Sequence, residues 1–331
     1  MKFADAIDDA LAQAMADDPK IVILGEDVQA LRRNLLVRFG EERVRNAPIS
    51  EGAFVGAAVA AAMAGLRPVV EVMLIDFVTV ALDAIVNHAA KVEAFSGWRV
   101  PLVVRSACGG GYGDAGQHEQ SLWGWLAHIP GLTVLVPSNP ADAGGLMTAA
   151  LAASGPVIYL EHKLLSEPWL EAMGSGGRST VSFDVPAAGA RGKVPARWQP
   201  LPIGQAALLR EGRDIGLVSV GVGVHRCLAA ARTLQDQGFS AAVLDLRTVS
   251  PLDRDALGRL TAATGRILVV DEDYRGFGLS GEIAAVLLEQ GIACKYGRVC
   301  TEQTIPYSRA LEDEVLPGTA RILRESLRLL G

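Results

Sequence analysis

Residues 65–77 read GLRPVVEVMLIDF. From Val69 to Leu74 every residue but Glu71 is apolar, so the strand formed there buries both of its faces. An Ala- and Gly-rich helical pattern, Ala53 to Ala64, precedes it, and a second, Phe77 to Phe95, follows. A doubly buried strand between two helices belongs to a parallel sheet covered by helices on both sides.

The same alternation continues outward. Phe3, Ile7, Leu11 and Met15 share one helix face, Asp17, Asp18 and Pro19 close that helix, and Ile21 to Leu24 forms a short apolar strand. Further strands are expected at Val100 to Val104, Leu132 to Val136 and Val157 to Leu160, with helices over Glu119 to His128 and Ala141 to Ala153. From Leu165 to Ile203 the periodicity stops, in 39 residues with five prolines and five glycines. It resumes with strands at Ile215 to Val220, Ala241 to Leu246, Ile267 to Val270 and Lys295 to Val299. Helices over Val224 to Gln237, Arg254 to Ala263, Gly281 to Gln290 and Ala320 to Leu330 alternate with them. The fold class is α/β: a domain over 1–165, an interdomain connection over 166–203 and a smaller α/β domain over 204–331.

Of the 331 residues, 50% are hydrophobic and 21% charged, enough apolar material for two cores. The 31 basic residues are outnumbered by 37 acidic ones and form no run, which argues against a nucleic-acid footprint. The longest apolar stretch, Gly52 to Leu66, is too short and small-sided for a membrane span. Acids interrupt the N-terminal segment where a secretory signal needs an apolar run, and the four cysteines sit at no metal-ligand spacing. The expected location is cytoplasmic, with reduced thiols and no metal held by this chain.

Two glycine patterns imitate a dinucleotide fingerprint: Gly111, Gly113, Gly116 and Gly276, Gly278, Gly281. The ribose-binding acid due about 20 residues on is missing from the first, where position 136 is Val. In the second, position 301 is Thr, with Glu302 next. Ser50 is placed to cap the Ala/Gly helix, and Glu51 in its first turn suits the helix dipole. Glu51 is equally a lone carboxylate against an apolar wall, placed to hold or move a proton on a heterocycle. His118 lies on a glycine-rich loop beyond the C-terminal end of a parallel strand, where ligands gather in such sheets. Asp76 is read as a cap and Phe77 as packing, or as a stacking surface for a planar ligand. His162 and His225 show no evident partner.

Together these residues carry a resemblance. The order APISEG (Ala47 to Gly52), GLRPVVEVMLIDF, IVNHAAK (Ile85 to Lys91), GQHEQSL (Gly116 to Leu122) and HIPGLTVLVPSNPADAGGL (His128 to Leu146) resembles one family. It is the beta subunit of the thiamin-diphosphate-dependent decarboxylating component of 2-oxo acid dehydrogenase complexes, which includes pyruvate, branched-chain and acetoin dehydrogenases. DLRTVSPLD (Asp245 to Asp253), GFGLSGEIAA (Gly276 to Ala285) and PYSRALEDEVLP (Pro306 to Pro317) agree with it. The resemblance implies a pyrimidine-binding domain followed by a transketolase C-terminal-like domain that serves assembly and docking. It implies thiamin diphosphate as cofactor, with Glu51 at a ring nitrogen of the aminopyrimidine, Phe77 and Leu74 packing on it, and His118 near substrate and the incoming lipoyl arm. The GDG…Asn motif that holds Mg²⁺ and diphosphate is lacking, since Gly113, Asp114 and Ala115 only approximate it. An alpha subunit is therefore implied to bring that half, in a two-alpha, two-beta assembly, with a lipoyl acyltransferase core as acceptor. Ala153, Ser154 and Gly155 offer no side-chain ligands where some members hold potassium. Glu119 stands where the family's HSQS motif has Ser, and a carboxylate there would raise the histidine's pKa and repel an anionic substrate. A two-subunit transferase without a lipoyl partner, a scaffold paralogue and an NAD enzyme are the alternatives.

Overall fold

The computed structural model of the chain describes residues 1–166 and 183–331. The expected connection over 166–203 thus lies partly, at 167–182, outside the described residues. The strands are β1 (Ile21–Gly25), β2 (Val44–Asn46), β3 (Arg67–Leu74), β4 (Val103–Cys108), β5 (Thr133–Leu135) and β6 (Val157–His162), then β7 (Ala207–Arg210), β8 (Ile215–Ser219), β9 (Ala241–Asp245), β10 (Thr248–Ser250), β11 (Arg266–Tyr274) and β12 (Lys295–Thr301).

Seven of them form one sheet in the order β10-β5-β6-β4-β3-β1-β2, and five form a second in the order β12-β11-β8-β9-β7. All pairings are parallel except β10 with β5 and β7 with β9. β3, β4 and β6 are buried nearly throughout, their charged residues Glu71, Arg105 and Glu161 included, with helices packed on both faces. β10 belongs by sequence to the second half of the chain but completes the first half's sheet.

Several expected elements shift. β4 starts at Val103 rather than Val100, because Pro101 has no N–H to give a ladder. The helix expected over Phe77 to Phe95 breaks into Ile75–Val78, a 3-10 turn Thr79–Ala81, a π turn Asp83–Ala89 and Val92–Ser96. That expected over Glu119 to His128 shrinks to Trp123–Ala127, since the residues before it are bonded elsewhere. The end of the connection is fastened to the first helix, Phe3–Asp17. Trp198 Nε1 donates to Asp9 Oδ2 at 2.8 Å, and its ring lies so close to Gly144 that a Cβ there would come within 2.3 Å.

Candidate active site

β2, β3 and β4 run parallel, so the segments leaving their C-terminal ends share one edge of the sheet. Those segments carry Glu51, Phe77 and His118. Glu51 is buried at the first position of the helix Glu51–Met63. Ser50 does not cap that helix, because its hydroxyl donates to Pro48 O at 3.0 Å. The Glu51 carboxylate makes no hydrogen bond within the described chain. Burial, then the charges of Asp27 and Glu51, push the Glu26 carboxyl up. The next residue, Gly52, lies against Val80 O, where a Cβ would come to 3.3 Å, and so ties the start of this helix to the turn after Phe77.

Leu74 is buried at the last position of β3 yet joins none of the three apolar clusters among the described residues. Phe77, half-buried, meets the ring of His118 edge to face, with centroids 5.7 Å apart and planes at 84°. Asp76 does not cap its helix. Its Oδ1 accepts from Gln120 Nε2 at 2.7 Å, and its Oδ2 is buried without a partner among the described residues. Burial pushes the Asp76 carboxyl up, against the opposing Gln120 bond.

His118 Nδ1 lies 3.3 Å from Asp114 O, a carbonyl that only accepts, so Nδ1 carries the hydrogen and Nε2 is left with its lone pair. Lys163, which sequence reasoning missed, lies beneath. Its ammonium sits 4.7 Å from the centre of the Tyr112 ring and donates to His118 O at 2.5 Å. Burial lowers it, opposed by Glu119, Asp76 and Asp114. The signal available was a lysine directly after an otherwise buried strand.

Behind the site, Asp8, Arg32, Glu71, Arg105 and Glu161 form a buried ion cluster. Arg32 holds Glu71 through two bonds of 2.7 and 2.8 Å, and Arg105 reaches Asp8 at 3.0 Å and Glu161 at 3.2 Å. A cavity of about 160 Å³ connects this cluster with Glu26 and Met73.

The glycine loops are not dinucleotide cradles. Beyond β4 no helix begins until Trp123, and the helix Leu279–Glu289 already has its Ser280 amide bonded to Asp271 Oδ2 at 2.9 Å. Instead, the loop from Gly109 to Gly124 is held by the second domain. Glu272 takes Gly110 N, Glu312 takes Gly113 N, Ile305 O takes Gly116 N, Asp271 takes Trp123 Nε1 and Asp273 takes Gly124 N, at 2.7 to 2.9 Å. Tyr274 OH adds a bond to Gln120 Oε1 at 3.1 Å.

A model of the transketolase pyrimidine-binding domain matches residues 1–168, and one of the transketolase C-terminal domain matches residues 204–322. The beta subunit of acetoin:2,6-dichlorophenolindophenol oxidoreductase from Cupriavidus necator is 37% identical over 339 residues, spanning 96% of this chain and 94% of that protein. The beta subunit of 2-oxoisovalerate dehydrogenase from Bacillus subtilis is 38% identical over 297 residues, 87% of this chain and 84% of that protein. The pyruvate dehydrogenase E1 beta subunit of Rhizobium meliloti is 35% identical over 335 residues, 98% of this chain and 68% of that protein. This chain belongs to the beta-subunit family of the 2-oxo acid and acetoin dehydrogenases. A solved split-gene transketolase, an inactive beta4 tetramer, shares the fold with a TM-score of 0.80 over 100% of this chain and 98% of that one, at 20% identity.

Within this dehydrogenase family Glu119 is the departure that the structure explains. Its carboxylate is fully buried and accepts from Tyr112 N at 2.8 Å and Asp114 N at 3.1 Å. A group so enclosed does not meet a substrate, so the expected repulsion of an anion does not arise.

Proposed function

We propose that this chain is the beta half of a thiamin-diphosphate-dependent enzyme that cleaves acetoin or a 2-oxo acid beside its carbonyl and passes the acyl unit to a lipoyl group. One observation carries the reading. Glu51 is a buried carboxylate at a helix start, bonded to nothing in the described chain, on the sheet edge shared with Phe77 and His118. A carboxylate held at this edge, open there and committed to no partner in the described chain, is available to a bound group.

The residues fit the cofactor. Glu51 would hold a proton at a ring nitrogen of the aminopyrimidine, and Phe77 and Leu74 would flank the ring with apolar surface. The cofactor supplies, when bound, a nucleophilic carbon that also accepts the electron pair released by C–C cleavage. His118 Nε2 is free to take or give a proton at a substrate oxygen, while Nδ1 stays on Asp114 O. Phe77 keeps water from one side of the imidazole. An alpha subunit would bring the diphosphate and Mg²⁺ half, since this chain lacks a GDG…Asn motif. DFVTVALDAIVNHAAK (Asp76 to Lys91) leans towards the acetoin branch.

The test is co-purification of the tagged chain from its host, followed by assay. A roughly equimolar partner bearing GDG and a downstream Asn is expected, with turnover of acetoin or a 2-oxo acid that requires thiamin diphosphate and Mg²⁺. Recovery of the chain alone, as a stable homo-oligomer inert in that assay, overturns the reading.

A further inference from the structure

Between Tyr112 and Asp114 three successive backbone amides are gripped by two glutamates in turn. Glu119 Oε1 accepts from Tyr112 N at 2.8 Å and from Asp114 N at 3.1 Å, and between them Glu312 Oε1 accepts from Gly113 N at 2.7 Å. Glu119 belongs to the first domain, and Glu312 to the helix Arg309–Val315 of the second. Both are completely buried, and because their Oε1 atoms hold adjacent amides of one tripeptide the two carboxyl groups lie side by side. Each Oε2 meets no N–H or O–H donor among the described residues. One of the two therefore keeps a proton, because two carboxyl groups side by side in a dry site do not both ionise.

Asp114, whose amide Glu119 holds, also supplies the carbonyl that takes the His118 Nδ1 hydrogen. The grip on the peptide thus sets the height and tautomer of the imidazole, whose far side rests on Phe77. We propose that Glu312 of the second domain and Glu119 are positioning residues for His118, clamping the Tyr112, Gly113 and Asp114 amides between them and so fixing Asp114 O against the imidazole. The consequence for His118 chemistry rests on the proton-handling role given to it above; the clamp itself does not.

The neighbouring charges are few. Arg309 Nη1 stands 3.7 Å from Glu312 Oε2 but is drawn to Asp313 at 2.6 Å. Lys163, attracted by Glu119, is bonded to His118 O, and the Asp114 and Asp76 carboxyls lie on its other sides. Burial, then the neighbouring Glu119, push the Glu312 carboxyl up to about 9. A carboxyl raised on folding stabilises most fully below its unfolded value, and this stability is lost as pH rises through about 9. Glu312→Gln puts a permanent N–H donor where the proton is kept and cannot ionise, while its Oε still accepts from Gly113 N. Glu119→Gln does the same from the other side.

Hydrogen exchange of the full chain, read on a peptide covering 109–122, tests the clamp, with β6 as the internal standard. In the wild type, protection of Tyr112, Gly113 and Asp114 should fall roughly tenfold per pH unit above the pair's titration, beyond the chemical acceleration seen in β6. Glu312→Gln or Glu119→Gln should keep that protection. The clamp is overturned if the wild type shows no excess loss, or if both Gln variants lose protection as it does. In the holoenzyme with its alpha subunit, the alkaline fall of kcat for acyl transfer should move to higher pH in Glu312→Gln, with KM unchanged. An unmoved profile beside the expected exchange result overturns positioning of His118 and leaves the dehydrogenase reading intact.

Discussion

His162 Nε2 and Glu272 Oε1 lie 2.8 Å apart across the joint between the domains, and that bond fixes the tautomer of a fully buried imidazole. Leu164 N donates to Nδ1 at 3.2 Å, so the hydrogen is on Nε2 and points at Glu272. Glu272 also accepts from Gly110 N at 2.9 Å and Arg226 Nη1 at 2.6 Å. A histidine with no partner visible in the sequence is thus part of the seam that carries the His118 loop.

Burial alone would raise Glu272; His162, Arg226 and the Gly110 amide outweigh it and hold the carboxyl far below its usual range. A depressed carboxyl contributes stability above its unfolded value and loses it as pH falls. Glu272→Gln should therefore cost about 3 kcal/mol near neutrality. The deficit should begin to shrink below about pH 4 and go on shrinking as pH falls further toward the folded-state value. Urea unfolding across that range measures it, and a deficit independent of pH would contradict the assignment.

The ion cluster behind Glu26 has two guanidinium groups against three carboxylates, all buried. Glu71→Ala leaves Arg32 without its bidentate partner and should cost about 3–5 kcal/mol. Loss of less than about 1 kcal/mol in thermal unfolding would mean that water reaches the cluster.

Glu51→Gln keeps the shape of the side chain and removes its proton chemistry. Turnover with the alpha subunit should fall by roughly two orders of magnitude or more, with assembly unchanged by sedimentation. Near-normal turnover would remove Glu51 from the chemistry.

His118→Ala should slow acyl transfer to the lipoyl group by roughly 10²-fold or more, and C–C cleavage much less. Single-turnover kinetics separate the two steps, and an equal loss in both would assign His118 to cleavage instead.

The strands were legible because a doubly buried strand writes a mostly apolar run; β3 and β6 stand where their runs predict. The helix after β3 was legible only as apolar spacing, which does not distinguish one continuous helix from the α, 3-10 and π turns found over 75–96. Glu51, Phe77 and His118 stood out through a resemblance, and the structure puts all three at one sheet edge. Glu312 had no such signal. It lies 199 positions from the Gly113 amide it accepts, and in sequence it is one more polar residue on an amphipathic helix. Lys163 and Glu272 were hidden for the same reason, since long-range polar partners leave no period in the chain.

The antiparallel edge strand Thr248–Ser250 bears on how the molecule is made. Until residue 250 has left the ribosome, β5 presents an open row of amides and carbonyls beside a nearly finished sheet. Nascent chains stalled or cut before that point would expose an adhesive edge to one another, so chaperone demand should peak before the last quarter of translation and end abruptly once that short strand docks.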